Sequence, residues 1–226
     1  MSKLSFEQGP LVVGVLSALD GTERTIPLPC DVVEVRLDKT ARPADWLERC
    51  RAIEGRGRPV LLTIRLRGEG GDWVEDGAAR LDLYKSALEA VSAVDVELSS
   101  VICRAVTEEA QRLNKTCLVS HHDFAKTPPL HELESIIRGA RHNGAVPKVA
   151  TMIRSPADVE ILEALLARDA QEPLCVIGMG DDWKETRLSL AQHGSCLAYG
   201  YLDRPTAPGQ WSAVELTRRL RETRPR

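Results

Sequence analysis

Eight short, almost uninterrupted apolar runs recur along the chain, at residues 11–16, 32–37, 60–65, 94–98, 116–120, 146–152, 174–177 and 196–199. Runs of this length with little polar alternation suit parallel strands covered on both faces. Between most of them lie segments with apolar residues three and four apart, at 46–53, 78–91, 107–113, 130–141, 156–167, 186–192 and 214–221. That spacing is the period of a helix with one buried side. Thr107 followed by Glu108 and Glu109 predicts one helix start, and Ser155 before Pro156 predicts another. Strand–helix alternation through eight units predicts an α/β fold closed into a (β/α)8, or TIM, barrel. The 226 residues fall slightly below the roughly 250 typical of that fold, so the barrel is expected to be compact. No linker-like stretch interrupts the pattern, and residues 1–226 are expected to form a single domain. An open doubly wound sheet would use the same elements, but no Gly-x-Gly-x-x-Gly follows the first strand.

Composition narrows the partners. A formal charge of −3 excludes strong global attraction to nucleic acid or to anionic membranes. No apolar run approaches the roughly 20 residues that cross a bilayer, and residues 1–10 lack the apolar core of a signal peptide. The one basic cluster, Arg218, Arg219, Arg221, Arg224 and Arg226, reads as a solvated helix end and tail. Six scattered cysteines (Cys30, Cys50, Cys103, Cys117, Cys175 and Cys196) form no Cys-x-x-Cys pair. They support neither a zinc site nor a disulfide framework, and a reducing cytoplasm is the expected compartment.

In barrels of this kind chemistry gathers at the C-terminal ends of the strands. Those ends carry a coherent set of ionisable groups: Glu34, Arg36 and Asp38, then Arg65 and Glu69, Asp95 and Glu97, His122 and Asp123, Lys148, and Arg187. Lys148 stands inside the apolar segment Val146-Pro147-Lys148-Val149-Ala150, where a lysine is rarely buried without a partner or a task. Burial among cations favours the neutral, nucleophilic amine; the plainer reading is a strand-end lysine that reaches solvent or pairs with Glu97. His122 ends the fifth run and suits proton transfer near neutrality. His121 is the weaker base candidate, because strand alternation turns the two imidazoles to opposite faces. Arg36, Arg65 and Arg187 present guanidinium forks suited to carboxylate or hydroxyl-rich ligands, or to internal carboxylates.

Several of these residues occur in a recognisable order. Glu34-Val35-Arg36-Leu37-Asp38 is followed by Thr63-Ile64-Arg65, Glu69-Gly70-Gly71 and Asp95-Val96-Glu97-Leu98. Ser120-His121-His122-Asp123-Phe124, Thr127-Pro128, Lys148-Val149-Ala150, Met152, Arg187-Leu188 and Ala207-Pro208-Gly209-Gln210 complete the series. The chain resembles the type I 3-dehydroquinate dehydratases, imine-forming enzymes of the shikimate pathway toward chorismate and the aromatic amino acids. The resemblance covers nearly the whole chain. It implies that Lys148 forms a Schiff base with 3-dehydroquinate, that His122 is the general acid–base, and that Glu69 orients His122. It places Glu34, Arg36 and Arg65 in the substrate-binding cluster, Arg187 on the substrate carboxylate, and Thr206 and Gln210 on a substrate-covering loop. Asp95 and Glu97 would form the supporting shell. No metal or other cofactor is implied, the partner is the small-molecule substrate, and a homodimer is the family expectation.

The chain departs from the family pattern in three places. Gly14 or Val15 stands where a Ser or Thr often contacts substrate, Trp183 replaces a frequent glycine, and the segment before Lys148 is slightly short. The loop at 201–210, with Pro205, Pro208 and Gly209, is expected to act as a lid. Two other functions fit parts of the pattern. A class I aldolase would use the Gly178 and Gly180 amides for a substrate phosphate, and a catalytically silent barrel would bind a shikimate-like ligand or a partner protein.

Overall fold

All eight apolar runs become parallel strands. The computed structural model describes residues 3–7, 9–21, 23, 27–169 and 172–222. Its strands are β1 (Leu11–Leu16), β2 (Val32–Arg36), β3 (Val60–Thr63), β4 (Ala93–Glu97), β5 (Thr116–Asp123), β6 (Val146–Met152), β7 (Cys175–Met179) and β8 (Leu197–Tyr201). The helices are α1 (Trp46–Gly55), α2 (Ala78–Leu88), α3 (Cys103–Arg112), α4 (Leu130–His142), α5 (Pro156–Arg168), α6 (Thr186–Gln192) and α7 (Ala213–Glu222). The sheet runs β7-β6-β5-β4-β3-β2-β1-β8, so its two ends are the strands that would meet in a closed barrel. They do meet at the seam's lower end: Cys196 donates its backbone N–H to the Leu174 carbonyl at 2.9 Å. The Val176 N–H donates to Ser195 Oγ at 2.9 Å. The architecture is an α/β barrel, nearly closed, with one loosely paired seam.

Side-chain alternation builds two cores from one set of strands. Inward positions such as Val13, Val32, Leu61, Leu118 and Cys175 fill the barrel, and Leu4 and Phe6 pack against their lower end. The Leu4 N–H, donating to Thr116 Oγ1 at 2.9 Å, fixes that plug. Outward positions such as Val33, Leu62, Val94 and Val119 pack against α1, α2, α3 and α7. Val149 and Val176 do the same beneath α4, α5 and α6. Strands buried on both faces read as continuous apolar runs for this reason.

Two local readings differ in outcome. Ser155-Pro156 does open α5, with the Asp158 carboxylate accepting the Arg154 and Ser155 backbone N–H groups at 2.8 and 2.9 Å. The Thr107 start is incorrect: α3 begins at Cys103, and Thr107 lies buried within it. The buried stripe Cys103, Val106, Thr107 and Ala110 begins one turn earlier than the acidic pair suggests, and the Thr107 hydroxyl donates back to the Arg104 carbonyl at 2.8 Å. At the far end Arg218 pairs with Glu215 and Glu222 on α7's exposed side; Arg224 and Arg226 lie outside the described residues. No helix among the described residues is long and apolar enough to cross a membrane.

The Asp158 contacts predict a local stability effect. Asp158→Ala removes the cap, costing about 1 kcal/mol and lowering Tm by roughly 2–4 °C for a chain of this size. Turnover should not change, because Asp158 does not line the strand-end cavity described next; calorimetry and an activity assay check both halves.

Candidate active site

Many of the inward residues at the C-terminal strand ends are charged, beside apolar Val15, Ala150, Ile177 and Met179. Ladder register sets their neighbours: Glu97 lies beside Ser120, Ser120 beside Lys148, and Lys148 beside Cys175. One step along, His122 lies beside Ala150 and Ala150 beside Ile177. Strand β5 runs past its apolar run to Asp123, so His122 is held in the ladder rather than on a loop. Alternation turns it inward: His122 lines the cavity and His121 does not.

The resulting cavity is lined by Glu34, Arg36, Arg65, Glu69, His122, Lys148, Arg187, Thr206 and Gln210. All nine residues singled out as catalytic or substrate-binding therefore converge. Asp95 and Glu97 lie directly beneath, fully buried.

Lys148 is 4% exposed. Its Nζ donates to Asp95 Oδ2 at 2.7 Å and lies 4.4 Å from the centre of the Tyr199 ring, a cation–π distance. The Tyr199 hydroxyl is buried without a hydrogen-bond partner among the described residues. The expected alternative partner, Glu97, is taken from two other sides. Arg65 Nη1 reaches Glu97 Oε1 at 3.1 Å, Arg80 pairs with Glu97 Oε2, and the Leu66 N–H donates to Oε1 at 2.8 Å. Arg65 Nη2 contacts Asp95 Oδ1 at 2.8 Å, and Ser120 Oγ donates to the same oxygen at 2.6 Å. Burial alone would raise the Asp95 pKa; Arg65 and then Lys148 outweigh it and hold the carboxyl well below its usual range.

His122 has a complementary setting. Its Nδ1 lies 2.9 Å from Glu69 Oε2, and its backbone N–H donates to the same oxygen at 3.0 Å. Ser99 Oγ donates to Glu69 Oε1 at 2.8 Å. Burial, then Arg65, Lys148 and Arg36, push the His122 pKa well below its ordinary value, so the ring is neutral at physiological pH. With Nδ1 turned to the carboxylate, Nε2 is the nitrogen available to the cavity. Burial pushes Glu69 up to about 7, against the opposing pull of Arg65. The turn carrying Glu69 needs its glycines: a Cβ at Gly71 would meet the Arg65 carbonyl at 1.9 Å.

Arg36 is held in a fork by Asp38, with contacts of 2.9 and 2.8 Å. Glu34 accepts from Thr63 Oγ1 at 2.7 Å. Arg187 differs: it is 5% exposed, it donates to the Gly209 and Pro208 carbonyls at 2.9 Å each, and it has no carboxylate partner among the described residues. Burial lowers its pKa to about 10. A buried guanidinium without an anion favours an anionic ligand.

The sequence model of the family described as type I 3-dehydroquinase matches residues 12–224. The chain belongs to the type I 3-dehydroquinase family. A 3-dehydroquinate dehydratase from Methanocella arvoryzae is 34% identical over 213 residues, covering 94% of this chain and 96% of that protein. One from Methanothrix thermoacetophila is 36% identical over 195 residues, covering 84% and 81%. Among solved structures, 3-dehydroquinate dehydratase from Aquifex aeolicus superposes with a TM-score of 0.80 at 27% identity, covering 94% of this chain and 98% of that one. The Geobacillus kaustophilus enzyme gives 0.83 at 25% identity, covering 94% and 90%.

Within this type I 3-dehydroquinase scaffold two of the three departures find their places. Val15 lines the cavity, while Gly14 faces Cys30 and Leu202, where a Cβ would approach Cys30 Sγ to 2.6 Å. Trp183 packs outside the barrel against the α4–α6 core. The loop after β8 covers the cavity with Thr206, Ala207 and Gln210, and the Gly209 N–H donates to Asp181 at 2.8 Å. Gly178 lies inside β7 opposite Thr151, and neither it nor Gly180 lines the cavity, so the phosphate cradle of the aldolase reading is not formed. Sequence reasoning missed Arg80, Ser99, Ser120 and Tyr199. Arg80 had a signal: it shares the buried face of α2 with Tyr84, Ala87 and Leu88.

Glu69 carries a stability cost that can be measured. Its folded pKa, about 7, exceeds the unfolded value of about 4.3, so the folded state binds the extra proton between those values and stability falls as pH rises through the window. Glu69→Gln removes that loss. The variant should match the wild type near pH 4 and exceed it at pH 8 by up to about 3 kcal/mol, read as Tm against pH.

Proposed function

We propose that this chain is a 3-dehydroquinate dehydratase, a hydro-lyase converting 3-dehydroquinate to 3-dehydroshikimate and water in the shikimate pathway. The observation that carries the reading is the convergence in one cavity of buried Lys148, the His122–Glu69 pair and carboxylate-free Arg187, in a chain of this family.

The Arg187 fork binds the substrate carboxylate and fixes orientation without entering bond making. Glu34, Arg36, Arg65, Thr206 and Gln210 contact the hydroxyl-bearing ring. Lys148 Nζ passes one proton to neutral His122 and attacks the substrate ketone, and the carbinolamine hydroxyl leaves as water with that proton; the net change is ammonium and ketone to iminium and water, one positive charge standing on the nitrogen before and after. Asp95 and the Tyr199 ring thus face a cation in both states. The iminium acidifies the neighbouring C–H, and His122 Nε2 takes that proton while the electron pair is delocalised as an enamine. The enamine then expels the hydroxyl, which leaves as water with the proton returned by His122. A single base serves both transfers when the two groups depart from one side of the ring. Hydrolysis of the product imine restores Lys148.

The loop after β8 acts as a lid, closing over substrate and excluding bulk water. We further infer one barrel domain acting in the cytoplasm as a homodimer. Six unpaired, buried thiols support a reducing compartment, and exposed Val74, Val101 and Val214 offer apolar surface for self-association, which light scattering tests.

Borohydride reduction with 3-dehydroquinate should add to the wild type the mass of one bound ligand less the ketone oxygen lost as water, and Lys148→Ala should accept none. His122→Ala should still form the adduct but eliminate water at least about 10²-fold more slowly, the usual scale of general acid–base catalysis. Normal turnover without any trapped adduct would defeat the imine; near-normal turnover in His122→Ala would remove that residue from its role. Arg187→Met should raise KM strongly for the loss of a charge-assisted, bidentate contact.

A further inference from the structure

The two oxygens of Glu69 have separate tasks. Oε2 accepts from the His122 backbone N–H and faces Nδ1 of its ring. Oε1 accepts from Ser99 Oγ at 2.8 Å. Ser99 sits in the turn between β4 and α3, is exposed, and does not line the cavity. We propose that Ser99 is a positioning residue for the acid–base pair, its hydroxyl fixing the Glu69 carboxylate so that Oε2 stays on His122 Nδ1. The inference rests on the acid–base role of His122 given above.

The mechanical part follows from the glutamate side chain. Its terminal torsion is broad and roughly two-fold, so contacts at one oxygen alone leave the carboxylate free to rock about that point. A donor on the second oxygen, arriving from a different strand end, fixes the plane. Glu69 extends from the turn after β3, His122 from β5 and Ser99 from the end of β4. Three elements therefore meet at one carboxylate, and Ser99 is the contact that closes the set.

The electrostatic part has a definite sign. The charged groups acting on Glu69 are Arg65, just after β3, which favours its ionised form, and Glu97 from β4, which opposes it. On the other side, Arg65, Lys148, Arg36 and His121 all favour a neutral His122 ring. The Ser99 hydroxyl donates to the ionised carboxylate, so removing it keeps Glu69 protonated to higher pH. A protonated Glu69 can donate to Nδ1, which forces the ring proton onto Nε2. In that tautomer the cavity-facing nitrogen cannot accept a proton from substrate.

The test is Ser99→Ala in the full chain, a surface change that leaves the core intact. We expect kcat to fall about three- to tenfold, the scale of one ordinary, solvent-exposed hydrogen bond, with KM changed less than about twofold because Ser99 does not touch substrate. The acid limb of the kcat profile should move to higher pH, and Ser99→Thr, which keeps the hydroxyl, should restore both rate and limb. A Ser99→Ala profile superimposable on the wild type would overturn the proposal, as would a Ser99→Thr enzyme no better than Ser99→Ala. The outcome is separable from that of the acid–base reading. If His122→Ala traps substrate yet fails to turn over, an unmoved Ser99→Ala profile defeats the Ser99 inference alone.

Discussion

The carboxylate of Asp95 joins the charges at the barrel's active end. It holds Lys148 through one oxygen and Arg65 and Ser120 through the other. Arg65 leads on to Glu97, and Glu97 to Arg80 on α2. A chain of ions this deep is costly to desolvate and weak evidence for stability in itself, yet removing one member strands its neighbour at a cost of about 3–5 kcal/mol. Its value here is placement. The chain ties α2, β3, β4, β5 and β6 together beneath the cavity and fixes the lysine nitrogen between a carboxylate and an aromatic face.

The same cations act on the proposed base. Burial first, then Arg65, Lys148 and Arg36, hold His122 neutral while Glu69 occupies its Nδ1, so a cation and a neutral imidazole stand in one cavity without neutralising each other. A lysine that becomes an iminium keeps that arrangement, since the charge on the nitrogen persists through condensation. Arg187, on the helix after β7, adds a further cation to the cavity wall. Its contacts to the Pro208 and Gly209 carbonyls join the proposed carboxylate-binding group to the covering loop, and a bound carboxylate would draw on both.

Much of this was legible in the sequence because burial on both faces leaves a plain mark. Continuous apolar runs gave the strands, and alternation within β5 separated His122 from His121. What alternation cannot supply is the stagger between strands, the quantity that decides which inward charge meets which. Lys148 shares a ladder row with Ser120 and Glu97, yet its partner is Asp95, because Arg65 and Arg80 already occupy Glu97. Thr107 misled for a related reason: the acidic residues after it resembled a helix start, while the buried stripe had begun at Cys103. Ser99 carried no signal, being an ordinary turn serine until the fold brings Glu69 across from β3.

The central claim is that the cavity seats an iminium at Lys148 with its substrate carboxylate on Arg187. A crystal structure of the borohydride-reduced complex with 3-dehydroquinate tests it most directly. The account predicts a covalent bond from Lys148 Nζ to a ring carbon, the ligand carboxylate on the Arg187 guanidinium, and His122 Nε2 facing the adjacent carbon. An adduct on another lysine, or a ligand carboxylate held away from Arg187, would contradict it.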